Sequence, residues 1–135
     1  MKILQFAFDG NPDNPYLPTN IKGDNWVVYT GTHDNATSLS WWECLDKSLK
    51  EKINDNYKFS DNPSWNLIEI GMNTKANLFV APIQDILSLD DSCRLNTPGT
   101  IKNNWRWKLK KPLEEIELNL KNFSDMGKNY GRIKY

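Results

Sequence analysis

Three short apolar runs constrain the fold of this chain more than any other feature. They lie at residues 3–8, 26–32 and 77–81, and each is predominantly apolar rather than alternating between apolar and polar positions. Continuous runs are typical of strands that are buried on both faces, and such strands belong to parallel sheets with helical crossovers. Three strands cannot close a barrel, which needs eight strands and typically about 250 residues. The sequence therefore predicts an α/β fold that is incomplete on its own.

Helical signals follow the second and third runs. Ser40–Glu43 has the form of a capping box, and it opens an apolar stripe with a four-residue period, formed by Trp41, Leu45, Leu49 and Ile53. Asn62 before Pro63 is typical of an N-cap followed by proline at the first helical position, which predicts a second helix. We expect a last helix to begin near Pro112, with one apolar side formed by Leu113, Ile116, Leu120 and Phe123.

The segments between these elements are predicted to be irregular. Residues 9–25 are rich in Gly, Asn, Pro and Asp and predict a long loop. Pro82–Asp85 predicts a turn that leads into an irregular segment up to Gly99. The tail from Lys128 is polar, and we expect it to fray. We therefore divide the chain into a barrel segment at residues 1–127 and a polar tail at residues 128–135.

The charge balance argues against nucleic acid as a partner. The 135 residues carry 17 basic and 17 acidic side chains, whereas nucleic-acid-binding proteins usually have a basic excess. The most basic stretch, at residues 102–111, also contains Trp105 and Trp107. It could form a stacking platform for bases, but a basic strand end packed by its tryptophans is the commoner explanation.

The cysteine and histidine content bears on metals and on location. Cys44 and Cys93 have no paired spacing, and His33 is the only histidine, so we predict no metal site and no cofactor. Two separated cysteines are typical of a protein that stays reduced. No apolar run approaches the roughly 20 residues that span a bilayer. We therefore expect a cytoplasmic protein with no membrane partner.

An acidic residue follows each predicted strand. These residues are Asp9, Asp34 and Asp85, and in a parallel barrel all three would face the same mouth. Asp34 follows His33 where the second strand gives way to a loop, which favours a functional site; the alternative is a loop cap. Asp9 and Asp85 are better explained as structural turn residues. Asn96 begins a Thr-Pro-Gly turn, and its amide could bind sugar hydroxyls.

Five segments in order resemble 4-α-glucanotransferases, the amylomaltases or disproportionating enzymes of glycoside hydrolase family 77. The segments are Leu4–Phe8, Asn14–Pro18, Val28–Asn35, Pro82–Leu87 and Asn96–Gly99, the last followed by Asn104–Trp107. The family fold is a (β/α)₈ barrel, and the resemblance implies that this chain is its C-terminal part, about the last three β/α units. One departure is Ala36, which stands where the family commonly has an acidic residue.

The resemblance also implies roles for three residues. The family transfers α-1,4-glucan segments to glucose or maltodextrin acceptors by a retaining double displacement. Asp34 matches the carboxylate that stabilises the transition state and is not the nucleophile, and His33 matches a substrate-binding histidine. Asn96 falls in a segment near the acceptor. The family's nucleophile and acid/base lie on earlier strands, and no segment of this chain matches either.

Three interpretations follow for the isolated chain. The first is a chain of glucanotransferase type that is inactive alone, because it lacks the nucleophile and the acid/base. The second is a non-catalytic module that binds maltodextrin or another α-1,4-glucan, or a fragment that complements an N-terminal barrel segment. The third is a chain with no stable fold.

Overall fold

The computed structural model describes residues 1–133, which form a three-stranded parallel sheet and five α-helices. The strands are β1 (Lys2–Ile3), β2 (Val27–Tyr29) and β3 (Leu78–Val80). They lie in chain order, with Lys2 beside Val28 and Val28 beside Phe79. The helices are α1 (Ser38–Cys44), α2 (Lys47–Tyr57), α3 (Pro63–Met72), α4 (Ile83–Ile86) and α5 (Leu113–Asn129). The predicted parallel α/β sheet is confirmed.

The first strand is shorter than predicted. Only Lys2–Ile3 is extended, and a 3₁₀ turn follows at Leu4–Phe6. The amide of Ala7 donates to the carbonyl of Leu4 at 2.9 Å, a local bond that a strand cannot make. The prediction of a strand through residue 8 is therefore wrong, although Leu4 is fully buried as an apolar run requires.

The predicted helix across residues 40–53 is two helices. Thr37 caps α1 instead of Ser40, because its side chain accepts from the amide of Ser40. Leu45 is extended, and Asp46 starts α2 by accepting from the amide of Leu49. The apolar stripe nevertheless packs against one core, which contains buried Ile53 with Trp41, Leu45 and Leu49 around it. The predicted four-residue period of apolar side chains is confirmed, whereas the prediction of one continuous helix is wrong.

Helices α3 and α5 begin where the sequence predicts them. Asn62 caps α3 by accepting from the amide of Trp65, which confirms the predicted start. The predicted turn after Pro82 is instead the short helix α4, whose first bonds lead back to the carbonyl of Pro82. The start of α5 after Pro112 is also confirmed. Of its predicted apolar side, Ile116 is buried whereas Leu113 and Leu120 are exposed.

The end of the chain is anchored by an arginine. Helix α5 continues to Asn129, and the guanidinium of Arg132 then donates to backbone carbonyls at and just beyond the C-terminal end of α3, those of Gly71, Met72, Thr74 and Ala76. The prediction that the tail frays from Lys128 is wrong as far as residue 133. Residues 134–135 lie outside the described part, and the division of the chain at residue 127 stays a prediction.

The two faces of the sheet have different surroundings. Val28 and Phe79 are neighbours on the face that packs against the helices, and Val28 is completely buried. The register places Leu78 and Val80 on the opposite face, where they are 52% and 37% exposed. No helix within residues 1–133 is long and apolar enough to cross a membrane.

Candidate functional site

The site begins with a tightly tied loop after β2. The side-chain oxygen of Asn35 accepts from the amide of Thr32 at 2.8 Å and from its hydroxyl at 2.7 Å. At Gly31, an added Cβ would lie 2.8 Å from the side-chain nitrogen of Gln5, so a larger residue would displace that amide. That nitrogen also donates to the carbonyl of Ala36 at 2.9 Å. The loop therefore has a defined shape at the carboxyl end of the middle strand.

This loop brings Asp34 together with the other two predicted site residues. His33 Nε2 lies 3.3 Å from Asp34 Oδ2, and Asn96 Nδ2 donates to Asp34 Oδ1 at 2.5 Å. The side chains of His33 and Asp34 are 50% and 51% exposed. A carboxylate accepts about four hydrogen bonds, so Asp34 keeps acceptor capacity for a ligand hydroxyl. The proximity of these groups is observed, whereas their roles stay predictions.

Trp105 lies against the imidazole of His33. The two ring centroids are 4.9 Å apart at 43°, and Trp105 is 60% exposed. Its φ of 59° is in the left-handed region, which costs energy for a bulky residue. The amide of Trp105 donates to the carbonyl of Leu95 at 2.7 Å, which helps to hold this conformation. The predicted basic strand end is wrong, because this stretch forms no strand.

Arg94 connects the two loops of the site and was not predicted from the sequence. Its guanidinium donates to the carbonyl of Asp34 at 2.7 Å and to the carbonyl of Asn96 at 2.8 Å. It also lies 3.5 Å from the carboxylate of Asp91, three residues earlier. An acidic residue and an arginine three positions apart could have indicated such a pair, but nothing in the sequence indicates the two carbonyls.

Asp85 is buried and holds the scaffold behind the site. It is 2% exposed, and its carboxylate accepts from the Thr30 hydroxyl at 2.5 Å and from the amide and hydroxyl of Ser38 at 2.8 and 2.7 Å. Burial raises the pKa of Asp85, and these three bonds oppose the rise. A cavity of about 130 Å³ lies beside it and is also lined by His33 and Arg94. Asp85 thus links parts of the scaffold, although it lies in helix α4 and not in the predicted turn; that it is purely structural stays a prediction.

Asp9 occupies an exposed turn instead. Its carboxylate accepts from the amide of Asn11 at 2.9 Å, and this bond lowers the pKa of Asp9. Within residues 1–133, no hydrogen bond joins Asp9, Asp34 and Asp85 to one another. No cluster of three or more His, Cys, Asp or Glu in that range could hold a metal ion.

Comparison with known proteins identifies the family. The profile of the family described as 4-alpha-glucanotransferase matches residues 1–114. The chain is 39% identical to a 4-alpha-glucanotransferase of Arabidopsis thaliana, over 98% of this chain and 24% of that protein. It is also 39% identical to the 4-alpha-glucanotransferase of Clostridium butyricum, over 99% and 28% of the two chains. The chain thus spans about a quarter of the length of these relatives.

A solved structure agrees with this assignment. Amylomaltase from Streptococcus agalactiae, in complex with acarbose, superposes with a TM-score of 0.89 and 26% identity. The match covers 99% of this chain and 27% of the amylomaltase chain. The chain belongs to the 4-alpha-glucanotransferase family and corresponds to a C-terminal portion of its members.

Proposed function

We propose that this chain supplies substrate-binding residues of a 4-α-glucanotransferase active site. In this proposal Asp34 stabilises the transition state, and His33 and Asn96 bind the substrate. One observation carries it: a half-exposed carboxylate lies between an imidazole at 3.3 Å and a side-chain amide at 2.5 Å. The amylomaltase relative binds acarbose, which makes an α-glucan chain the ligand to test first.

The chemistry of glycosyl transfer explains why this arrangement is useful. The transition state resembles an oxocarbenium ion, and hydrogen bonds to the ring hydroxyls strengthen as positive charge develops. A carboxylate that accepts from those hydroxyls therefore stabilises the transition state more than the ground state. Neutral imidazole can donate one further bond to the sugar. A retaining reaction also needs a nucleophile and an acid/base about 5–5.5 Å apart, and we propose that both come from other strands of the barrel.

The uncovered sheet face supports a complementary barrel segment as the partner. Leu78 and Val80 are exposed on the face that the helices do not cover, and β1 and β3 are the outer strands of the described sheet. Fully burying such a side chain contributes about 1.5–3 kcal/mol. We propose that this chain forms about the last three units of a (β/α)₈ barrel, and that an N-terminal segment covers this face and pairs with both outer strands.

Turnover of maltotriose tests the catalytic part of the proposal. We expect the chain alone to release no glucose. A mixture with a co-expressed N-terminal segment of a family member should yield glucose and longer maltodextrins. Asp34→Asn should reduce that turnover by about several hundredfold, which is the usual effect of removing one group that stabilises the charge of a transition state. Asp55→Asn, on the exposed face of α2, is the matched control.

Two outcomes would contradict this part of the proposal. Clear turnover by the chain alone would show that it does not depend on residues from elsewhere. Equal turnover of Asp34→Asn and Asp55→Asn in the complemented mixture would remove Asp34 from the chemistry.

A non-catalytic maltodextrin-binding module is the second candidate. It is favoured by the fact that the carboxylate, imidazole and amide all belong to this chain, and that the imidazole and the amide both lie against the carboxylate. Calorimetric titration with maltoheptaose should show binding by the chain alone and a loss in Asp34→Asn. Binding without any turnover in the complemented mixture would favour this candidate over the first.

We further propose a cytoplasmic location. Cys44 and Cys93 are both free thiols, and Cys44 is exposed, which suits a reducing compartment. The Arabidopsis relative is named as chloroplastic or amyloplastic, so a plastid is the competing location. Cell fractionation followed by immunodetection distinguishes the two.

A further inference from the structure

One guanidinium is hydrogen-bonded to the backbone of both loops that form the candidate site. Arg94 donates through Nη2 to the carbonyl of Asp34 at 2.7 Å and through Nε to the carbonyl of Asn96 at 2.8 Å. Its side chain is only 22% exposed. The two acceptors belong to the same residues whose side chains share the 2.5 Å hydrogen bond. One planar group thus holds the backbone carbonyls of both Asp34 and Asn96.

Asp91 extends this connection to the start of helix α1. One oxygen of its carboxylate lies 3.5 Å from Arg94 Nη1, and the other accepts from the amide of Thr37 at 2.8 Å. The amide of Asp91 donates to the hydroxyl of Ser40 at 2.9 Å. Asp91 therefore contacts Arg94 and is itself hydrogen-bonded to the first turn of helix α1.

We propose that Arg94 is a positioning residue that sets the separation between Asp34 and Asn96. A guanidinium has five donors in a rigid fork and can hold two carbonyls at fixed separation, whereas the single ammonium of lysine cannot reproduce that geometry. Arg94 does not contact the Asp34 carboxylate, so its effect passes through the backbone. The ligand in this inference rests on the proposed function, but the geometric claim does not.

The competing explanation is that Arg94 only adds stability. Arg132 offers a matched control, because it also donates to several backbone carbonyls, and these lie around the end of α3. Arg94→Met and Arg132→Met should both lower the melting temperature. Only Arg94→Met should change the geometry at Asp34.

The single histidine of the chain allows a direct measurement. The Hε1 proton of His33 gives one NMR signal, which the nearby ring of Trp105 and carboxylate of Asp34 both influence. We expect this signal, and the side-chain amide signals of Asn96, to shift in Arg94→Met and Arg94→Lys of the full chain without ligand. Arg132→Met should leave them in place.

Maltoheptaose binding supplies the second measurement. Arg94→Met should raise the Kd for maltoheptaose about tenfold, the equivalent of one misplaced hydrogen bond. Arg94→Lys should be intermediate, and Arg132→Met should bind as the unmodified chain does. A Lys variant with unmodified signals and Kd would show that charge alone suffices, which overturns the fork argument.

The outcomes separate this inference from the proposed function. If the unmodified chain binds no maltoheptaose, its binding role is contradicted, and the ligand-free signals of His33 and Asn96 still decide the role of Arg94. If Arg94→Met melts earlier but keeps those signals and the unmodified Kd, Arg94 is structural and the inference is wrong.

Discussion

Replacing Asp85 by alanine tests whether the scaffold behind the site depends on one buried carboxylate. Asp85→Ala leaves the hydroxyl of Thr30 and both the amide and hydroxyl of Ser38 without their acceptor. Thr30 and Ser38 are completely buried, so bulk water cannot replace the carboxylate directly. These bonds join the end of β2, the start of α1 and helix α4, and their loss should loosen all three together.

The expected loss is about 3 kcal/mol. Each buried donor that is left unpaired costs about 1–3 kcal/mol. Two effects reduce the sum: the burial cost of the charged carboxylate disappears, and water can enter the adjacent cavity of about 130 Å³. For a chain of this size, about 3 kcal/mol corresponds to a decrease of about 10 °C in Tm. Asp85→Asn has nearly the same shape, its oxygen can still accept from the amide of Ser38, and its NH₂ can donate to the hydroxyl oxygens of Thr30 and Ser38, so we expect a smaller loss of about 1 kcal/mol.

Urea denaturation, monitored by tryptophan fluorescence, measures these free energies of unfolding. The pH dependence adds a second check, because the pKa of Asp85 is raised above its usual 3.8 by burial. The folded state then holds the proton more tightly than the unfolded state, so the contribution of Asp85 to stability falls as pH rises from below 3.8 through the raised pKa. The stability of the unmodified chain relative to Asp85→Asn should fall over that interval and then level off. Equal stability of Asp85→Ala and the unmodified chain, or a relative stability that rises with pH, would refute the reasoning.

Three further substitutions test a close contact, a backbone anchor and a helix cap around helices α3 and α5. Gly71→Ala should destabilise the fold by about 2 kcal/mol, since its Cβ would lie 2.1 Å from the ring of Phe79; an unchanged urea midpoint would contradict this contact. Arg132→Met should cost about 2 kcal/mol and increase hydrogen exchange in α5, because several carbonyl bonds are lost; unchanged exchange there would show that the anchor is dispensable. Asn62→Ala should cost about 1 kcal/mol through loss of the α3 cap, as measured by thermal denaturation, whereas an exposed Asn56→Ala in α2 serves as the control.

The fold was predictable where local chemistry and burial act in the same direction. Asn62 before Pro63 satisfies the first amides of a helix, so the start of α3 followed from two residues. The prediction of a single long helix was wrong because Leu45 can pack in the apolar stripe with either an extended or a helical backbone. Only the competing cap at Asp46 ends α1, and a period of four residues does not reveal it.

The candidate site was predictable in its side chains and not in its support. His33, Asp34 and Asn96 were named from motifs, and the structure brings them together. Arg94 was missed because its partners at Asp34 and Asn96 are backbone carbonyls, which every residue has. Contacts to the backbone leave no residue-type signal in a sequence, so positioning groups of this kind are visible only in the three-dimensional structure.

Burial and hydrogen bonding together distinguish the two carboxylates that follow β2 and β3. Asp85 accepts three bonds from fully buried donors and has almost no exposed surface, so most of its acceptor capacity is taken up by the protein itself. Asp34 accepts one bond from Asn96, lies beside His33, and is half exposed, so its remaining acceptor capacity is open to solvent. Exchanging the two environments would bury the carboxylate at the proposed ligand site and would leave the loop behind it without its three hydrogen bonds. The division of roles therefore requires both residues, and Asp34→Asn should affect binding with little effect on stability, whereas Asp85→Ala should reduce stability first.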